Sequence, residues 1–262
     1  MDIGNILTIW KREIKGYFYT PLAYVFIGIF TLLMGLMFSS FLDTYEMYTA
    51  RSAFGMAPSV TIDRLAEALY QNMHVILMFI LPFFTMRLFT EESRQNTMAL
   101  LMTSPIRTWE LTLAKFKAGA TILLIMLGIT LIFPSMLWLY ADKTGGQGGP
   151  DWGVVWLTYL GLFLAGLVYI SFGAFWSSIT ESQLIAVVMA FATNFTFWLF
   201  SLWAQGSTGT LQEVLKFLAI GEQFQSFSKG ILELKSVVYF ASVIFLALFL
   251  TNRSLESRSW RA

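Results

Sequence analysis

Residues 154–178 read VVWLTYLGLFLAGLVYISFGAFWSS, without one Asp, Glu, Lys, Arg or His among them. At 1.5 Å per residue such a run is long enough for a helix to cross the roughly 30 Å of hydrocarbon in a bilayer. It shows no two-residue alternation, which removes an outer-membrane barrel, whose strands alternate lipid-facing and lumen-facing side chains. A helix is the remaining way to satisfy its backbone in lipid. Five more stretches of this kind lie at about 22–42, 72–89, 116–140, 184–204 and 236–252. The last has the shortest unbroken apolar core, so local bilayer thinning or a protein-packed neighbour is expected there. His74 and Arg87 lie near opposite ends of the second stretch and Lys117 at the start of the third; the interiors are otherwise free of such side chains.

The composition agrees. Of 262 residues 56% are hydrophobic and 13% charged, against about 25% charged in ordinary soluble domains. The formal net charge is +1, so no overall field would draw in nucleic acid, and no nucleic-acid partner is expected. Zero cysteines exclude disulfides, a thiolate nucleophile and cysteine-held metal. Sorting Lys and Arg by connection gives eleven on the side of Lys11, Arg12, Lys15, the 2/3 connection and the C-terminal Arg253, Arg258 and Arg261, and six on the other. The positive-inside rule then puts both termini in the cytosol of a cell bounded by this membrane, the inner (cytoplasmic) one. Charges continue to Lys15 and no small-residue cleavage site follows, so the first span is expected to stay as an anchor.

Ahead of it, Ile3, Ile6, Leu7, Trp10, Ile14, Tyr17 and Phe18 fall within an arc of about 120° at 100° per residue, opposite Lys11, Arg12 and Lys15, with Ile9 as the misfit. This predicts an interfacial helix over about 3–19, turning into the bilayer at Pro21. An anchor with no further task satisfies the same pattern.

Chemistry is sparse. There is no H-E-x-x-H, no G-x-S and no Gly-Lys dipeptide, so neither a hydrolase site nor a P-loop is built here, and no cofactor is expected. A lone His74 reads as a satisfied or solvated residue before it reads as a metal ligand. Span interiors without ionisable side chains also argue against ion- or proton-coupled transport.

The 2/3 connection is the most distinctive segment. Pro82-Phe83-Phe84-Thr85-Met86-Arg87 is followed by Glu91, Glu92 and Arg94, then by Asn96-Thr97-Met98-Ala99-Leu100-Leu101-Met102-Thr103-Ser104-Pro105, and then by Thr108-Trp109-Glu110 and Ala114-Lys115. Its middle reads as a short amphipathic helix stopped by Pro105. Thr108 is expected to cap the next helix, with Glu110 in its first turn. A helix exposing Met98, Leu100, Leu101 and Met102 needs either a protein partner or the bilayer surface.

These residues resemble the permease subunits of ABC-2-type transporters, most closely the gliding-motility-type permease GldF. That family carries a Pro-x-x-Thr-Met-Arg stretch, paired acids, a Gly-Thr-x-Glu-Leu-Leu-x-Thr-Ser-Pro run and then Gly-Lys at this place. Here Asn96 stands for the first Gly, Met98-Ala99 for the acid-containing pair and Ala114 for the Gly before Lys115. Ser177-Ser178-Ile179-Thr180-Glu181-Ser182-Gln183 is similar to the family's tight turn between spans 4 and 5. Phe224-Gln225-Ser226-Phe227-Ser228-Lys229-Gly230-Ile231 is similar to its segment before span 6, and Leu255-Glu256-Ser257-Arg258-Ser259-Trp260 to its ending.

The expectation is an all-α, polytopic membrane protein: one domain over 1–262, six spans, the interfacial helix, and a re-entrant pair of short helices over 208–235 broken at Gly221. The resemblance implies a non-enzymatic permease subunit that moves or rearranges a bulky or amphiphilic cargo. It would be driven by two copies of a cytosolic ATP-binding-cassette ATPase and paired with itself or a related permease half. A GldG-like auxiliary membrane protein is a further partner that it implies. Glu91, Glu92, Arg94, Thr97, Met98, Leu100, Leu101, Thr103 and Pro105 would make the ATPase coupling. Phe224 and Phe227 are candidates for an outer gate, against plain packing. Gly28 and Gly35 on span 1, with Phe191, Phe195 and Trp198 on span 5, are candidates for the dimer face, against packing within the chain. A non-transporting anchor or scaffold that recruits a cytosolic ATPase or a motility or envelope complex is the other reading.

Overall fold

The computed structural model describes residues 3–53, 62–94, 107–141 and 149–259, and all regular elements among them are α-helices. These are α1 (Ile3–Tyr19), α2 (Pro21–Ala53), α3 (Ile62–Thr85), α4 (Arg87–Arg94), α5 (Thr108–Thr130), α6 (Ile132–Ala141), α7 (Trp152–Ile179), α8 (Gln183–Gly206), α9 (Thr210–Leu218), α10 (Ile220–Ser228) and α11 (Leu234–Ser259). Among the described residues, six segments are long and apolar enough to cross a membrane: Ala23–Tyr48, Ala66–Arg94, Thr108–Leu139, Trp152–Ile179, Gln183–Gly206 and Leu234–Ser257. The protein is thus a polytopic, all-α membrane protein. Most of its spanning helices outrun the apolar stretches of the sequence, because polar ends such as Asp43 to Arg51 continue the helix beyond the hydrocarbon.

Proline accounts for one interruption. Within the third span, Pro134 has no N–H to give the carbonyl of Thr130, and its ring crowds that carbonyl. The chain therefore breaks between α5 and α6, with the Leu131 N–H turned to Gly128 O at 3.3 Å. Pro82 lies inside α3 without ending it: the helix runs on to Thr85, the Met86 N–H still meets Pro82 O at 3.0 Å, and a turn at Met86 separates it from α4. Around that joint the Thr85 hydroxyl donates to the carbonyls of Leu81 and Pro82.

The central helix is α7, packed against α3, α4, α5, α8, α10 and α11. Small residues let its neighbours approach. A Cβ added at Gly161 would lie 2.6 Å from Cβ of Phe227 on α10, and one at Gly166 would lie 2.5 Å from Cδ2 of Leu123 on α5; at Gly173 it would run into Thr85 of α3. Helix contacts in lipid depend on such close packing, because lipid tails are as apolar as leucine. The turn from α7 to α8 is as tight as expected, with Ser182 capping α8 by accepting from the Ile185 N–H.

Between α8 and α11 the chain forms two short helices, as the sequence suggests, but the break falls at Ala219 rather than Gly221. Ala219 takes an extended backbone and ends α9, while Gly221 already lies in α10. The last carbonyls of α9 are satisfied from neighbouring helices: Gln223 donates to Phe217 O at 3.1 Å and Tyr239 to Leu218 O at 2.7 Å. At the end of α10, Gly230 adopts φ +75°, its N–H meeting Phe227 O and the Ile231 N–H meeting Ser226 O, which closes the helix as a Schellman motif.

Candidate functional site

At one end of the bundle Ile6 and Ile9 of α1 share an apolar cluster with Leu88 and Phe89 of α4, Leu111 and Ala114 of α5, Ala174 of α7 and Leu255 of α11. Ile9 is therefore not a misfit. Along α1 two faces lie side by side: Ile6, Ile9, Glu13 and Tyr17 fall within about 80° at 100° per residue, and this arc faces protein, whereas Leu7 is exposed. The helix is thus apolar toward the bundle as well as on its outward side. Trp10 Nε1 donates to Thr121 at 3.0 Å and Asn5 to Glu110 at 3.3 Å, clasping α1 onto α5.

α5 starts one residue earlier than the sequence suggests. Arg107 holds the cap position, with its backbone N–H donating to the Glu110 carboxylate at 3.4 Å, and Thr108 is already helical. Two turns further on, Lys115 is buried, with only 2% of its side chain exposed. Its ammonium lies 3.1 Å from Glu13 Oε1 and 3.0 Å from Glu92 Oε1, and 5.4 Å from the centre of the Phe89 ring. Arg12 bridges the same two carboxylates from the solvent side, at 3.2 and 3.1 Å. Breaking a buried ion pair by removing one partner typically costs about 3–5 kcal/mol, whereas an exposed cation such as Arg12 contributes little. Lys115 is thus the pin that ties α1, α4 and α5 together. Nearby, burial and then the Glu13 charge push the Tyr17 hydroxyl above its ordinary pKa, so it stays protonated and donates to Phe84 O at 3.3 Å.

Of the residues expected to couple to an ATPase, Glu91, Glu92 and Arg94 occupy α4; Glu92 belongs to this ion network, Glu91 lines an adjoining cavity and Arg94 is exposed. Thr97, Met98, Leu100, Leu101, Thr103 and Pro105 lie outside the described residues. Phe224 and Phe227 are fully buried. Phe224 stacks on His74 at 4.9 Å, and His74 Nε2 lies 2.8 Å from the Tyr169 hydroxyl, so the single histidine is buried and partnered. Among the described residues, no heavy atom outside the local helix comes within 4 Å of a Cβ built at Gly28 or Gly35. Phe191, Phe195 and Trp198 are half-buried and stack on one another at 5.6 and 5.5 Å between ring centres, with Phe191 tilted at 39° against Phe79 of α3 at 5.1 Å.

Glu13, Lys115, Arg87 and Tyr17 were not among the candidates from sequence. Glu13 could have been found: it continues the arc of Ile6, Ile9 and Tyr17, where an acid is out of place without a buried cation to meet it. The profile of the family described as ABC-2 family transporter protein matches residues 7–252. No curated relative matches the sequence.

Proposed function

The chain belongs to the ABC-2 transporter family, and on that premise we propose that it couples ATP hydrolysis in a partner subunit to the export or rearrangement of a bulky or amphiphilic cargo. The family makes it a permease component of an ABC transporter that works with an ATPase subunit. One observation carries the coupling role. The segment 95–106 runs between α4 and α5, and both of these are pinned to α1 through the buried Lys115. The two helices that flank it in sequence are thus held to one another and to α1.

In this reading the pinned end faces the cytosol of the inner membrane, with two ATPase copies beneath a pair of permease halves. The halves meet along α2 and α8, the two least buried spans within the chain. Gly28 and Gly35 supply a surface open to close approach, while the stacked rings of α8 stiffen its side of the contact. At the other end α9 and α10 dip back toward the outer leaflet, with Phe224 and Phe227 under the gate. The stretch 82–115 favours the gliding-motility-type branch, with a GldG-like membrane protein as a further partner.

Purified complex reconstituted in vesicles tests the reading. ATP hydrolysis that rises with an amphiphilic cargo, and falls when the permease is locked by a cross-link between α2 and α8 of two copies, is the expected result. A chain that binds the ATPase yet leaves its turnover unchanged under both conditions is a scaffold, and the coupling role is then wrong.

A further inference from the structure

We infer that the cavity enclosed by α1, the first turns of α2 and the α3–α4 joint holds the phosphate headgroup of a membrane phospholipid. The cavity measures about 490 Å³, within the size range of sites that hold small organic groups. Its two ends differ in chemistry. One is apolar, walled by Ala23 and by Phe26 stacked on Phe83 at 5.2 Å and 26°. The other carries Arg12, Arg87 and the carboxylates that Lys115 and Arg12 already hold.

Arg87 is the residue left over. Its Nε is buried and has no hydrogen-bond partner among the described residues. A buried guanidinium N–H without an acceptor is costly, and a phosphate oxygen is the acceptor that its planar fork fits best. The position suits a lipid. Tyr19, 85% exposed, and the exposed Phe83 sit at the mouth, where the chain leaves the interfacial α1 and enters α2 at Pro21. A phosphate at Arg87 would have its glycerol backbone over the Phe26–Phe83 wall and its acyl chains running out into the bilayer. Free phosphate would make no use of that wall. The lining counts three cations, Arg12, Arg87 and Lys115, against Glu13, Glu91 and Glu92, so a zwitterionic headgroup leaves the cavity neutral. The inference requires that the bundle lie in a bilayer and does not depend on transport.

The test is lipid binding by the full chain, delipidated in detergent and read by native mass measurement. Phosphatidylethanolamine is the probe; diacylglycerol, which lacks phosphate, and inorganic phosphate are the two controls. One phosphatidylethanolamine per chain is expected, weakened about tenfold or more by Arg87→Gln and unchanged by Lys216→Gln, an exposed cation of α9 at the other end of the bundle. Equal binding of diacylglycerol, equal competition by inorganic phosphate, or undiminished binding by R87Q would each overturn the site. If R87Q does not fold, the unaltered chain decides. A phosphatidylethanolamine with a photoreactive acyl chain should mark peptides that carry Phe26 or Phe83, and marking confined to other helices would also overturn it.

Discussion

The ammonium of Lys115 lies 3.1 Å from the carboxylate of Glu13, across 102 residues of sequence. This contact decides where α1 sits. Interfacial helices can ride loosely on a bilayer, but one whose acid is committed to a buried cation of α5 cannot slide without exposing that cation. Replacing Lys115 by Ala should therefore destabilise the chain by about 3 kcal/mol, with Arg12 retaining part of the pairing from the solvent side. Adding Glu13→Gln and Glu92→Gln should recover more than half of the loss, since the carboxylates no longer need the charge. Thermal unfolding in detergent measures both; an unchanged midpoint for K115A would mean that the apolar contacts of Ile6 and Ile9 hold α1 without help.

Gly166 and Leu123 form a size-matched pair between α7 and α5. A methyl group on Gly166 would meet Leu123 at 2.5 and 2.9 Å, so Gly166→Ala should cost about 1–3 kcal/mol by overpacking. Leu123→Ala should cost about 2–5 kcal/mol through the cavity it leaves. In the double variant the new methyl enters that cavity, and the combined loss should fall short of the sum by about 1 kcal/mol or more. Simple additivity, read from unfolding of the four proteins, would place the two helices further apart than they are here.

Orientation is open to a direct measurement. Single cysteines at Glu213 of α9 and Ser257 of α11, in a chain that has none of its own, should label from opposite sides of sealed vesicles. Both positions are exposed, so access to a charged maleimide is limited by the bilayer alone. Ser257 should react only from the cytosolic side. Labelling of both from one side contradicts six crossings with cytosolic ends.

Periodicity and length carried most of the fold, because a lipid-spanning helix needs little beyond an uncharged run of sufficient length. What they missed has identifiable causes. The break at Thr130 comes from one proline, and hydropathy is blind to it because Pro134 sits among Phe133, Met136 and Leu137. Placing the α9–α10 break at Gly221 relied on glycine as punctuation; in the fold Gly221 sits in α10 beside Ser201 and His74, where a side chain would crowd Ser201. Calling Ile9 out of phase assumed that α1 has one apolar face, whereas it has one toward the bundle and another away from it. The phase of Glu13 on α1 hints at a buried cation, but which cation it meets is not legible. Glu13, Glu92 and Lys115 come from three separate segments, and nothing local in the sequence says that they meet.

The coupling assignment meets its sharpest test at Leu100 and Leu101. In sequence they fall between α4 and α5, the two helices that meet at the Lys115 cluster. Apolar side chains anchoring such an interface can each contribute about 2 kcal/mol or more when they fill a pocket on the partner. Changing both leucines to Asp replaces that contribution with two carboxylates that a closed interface would have to desolvate. The ATPase should then be lost from the purified complex, while the permease still inserts, since both residues lie outside the six long apolar stretches of the sequence. Because the Lys115 cluster is untouched, the double variant should also keep its stability within about 0.5 kcal/mol of the parent. An ATPase that stays bound in stoichiometric amount would assign the segment to the bilayer surface and move the search for the docking site to the exposed polar ends of α4 and α11.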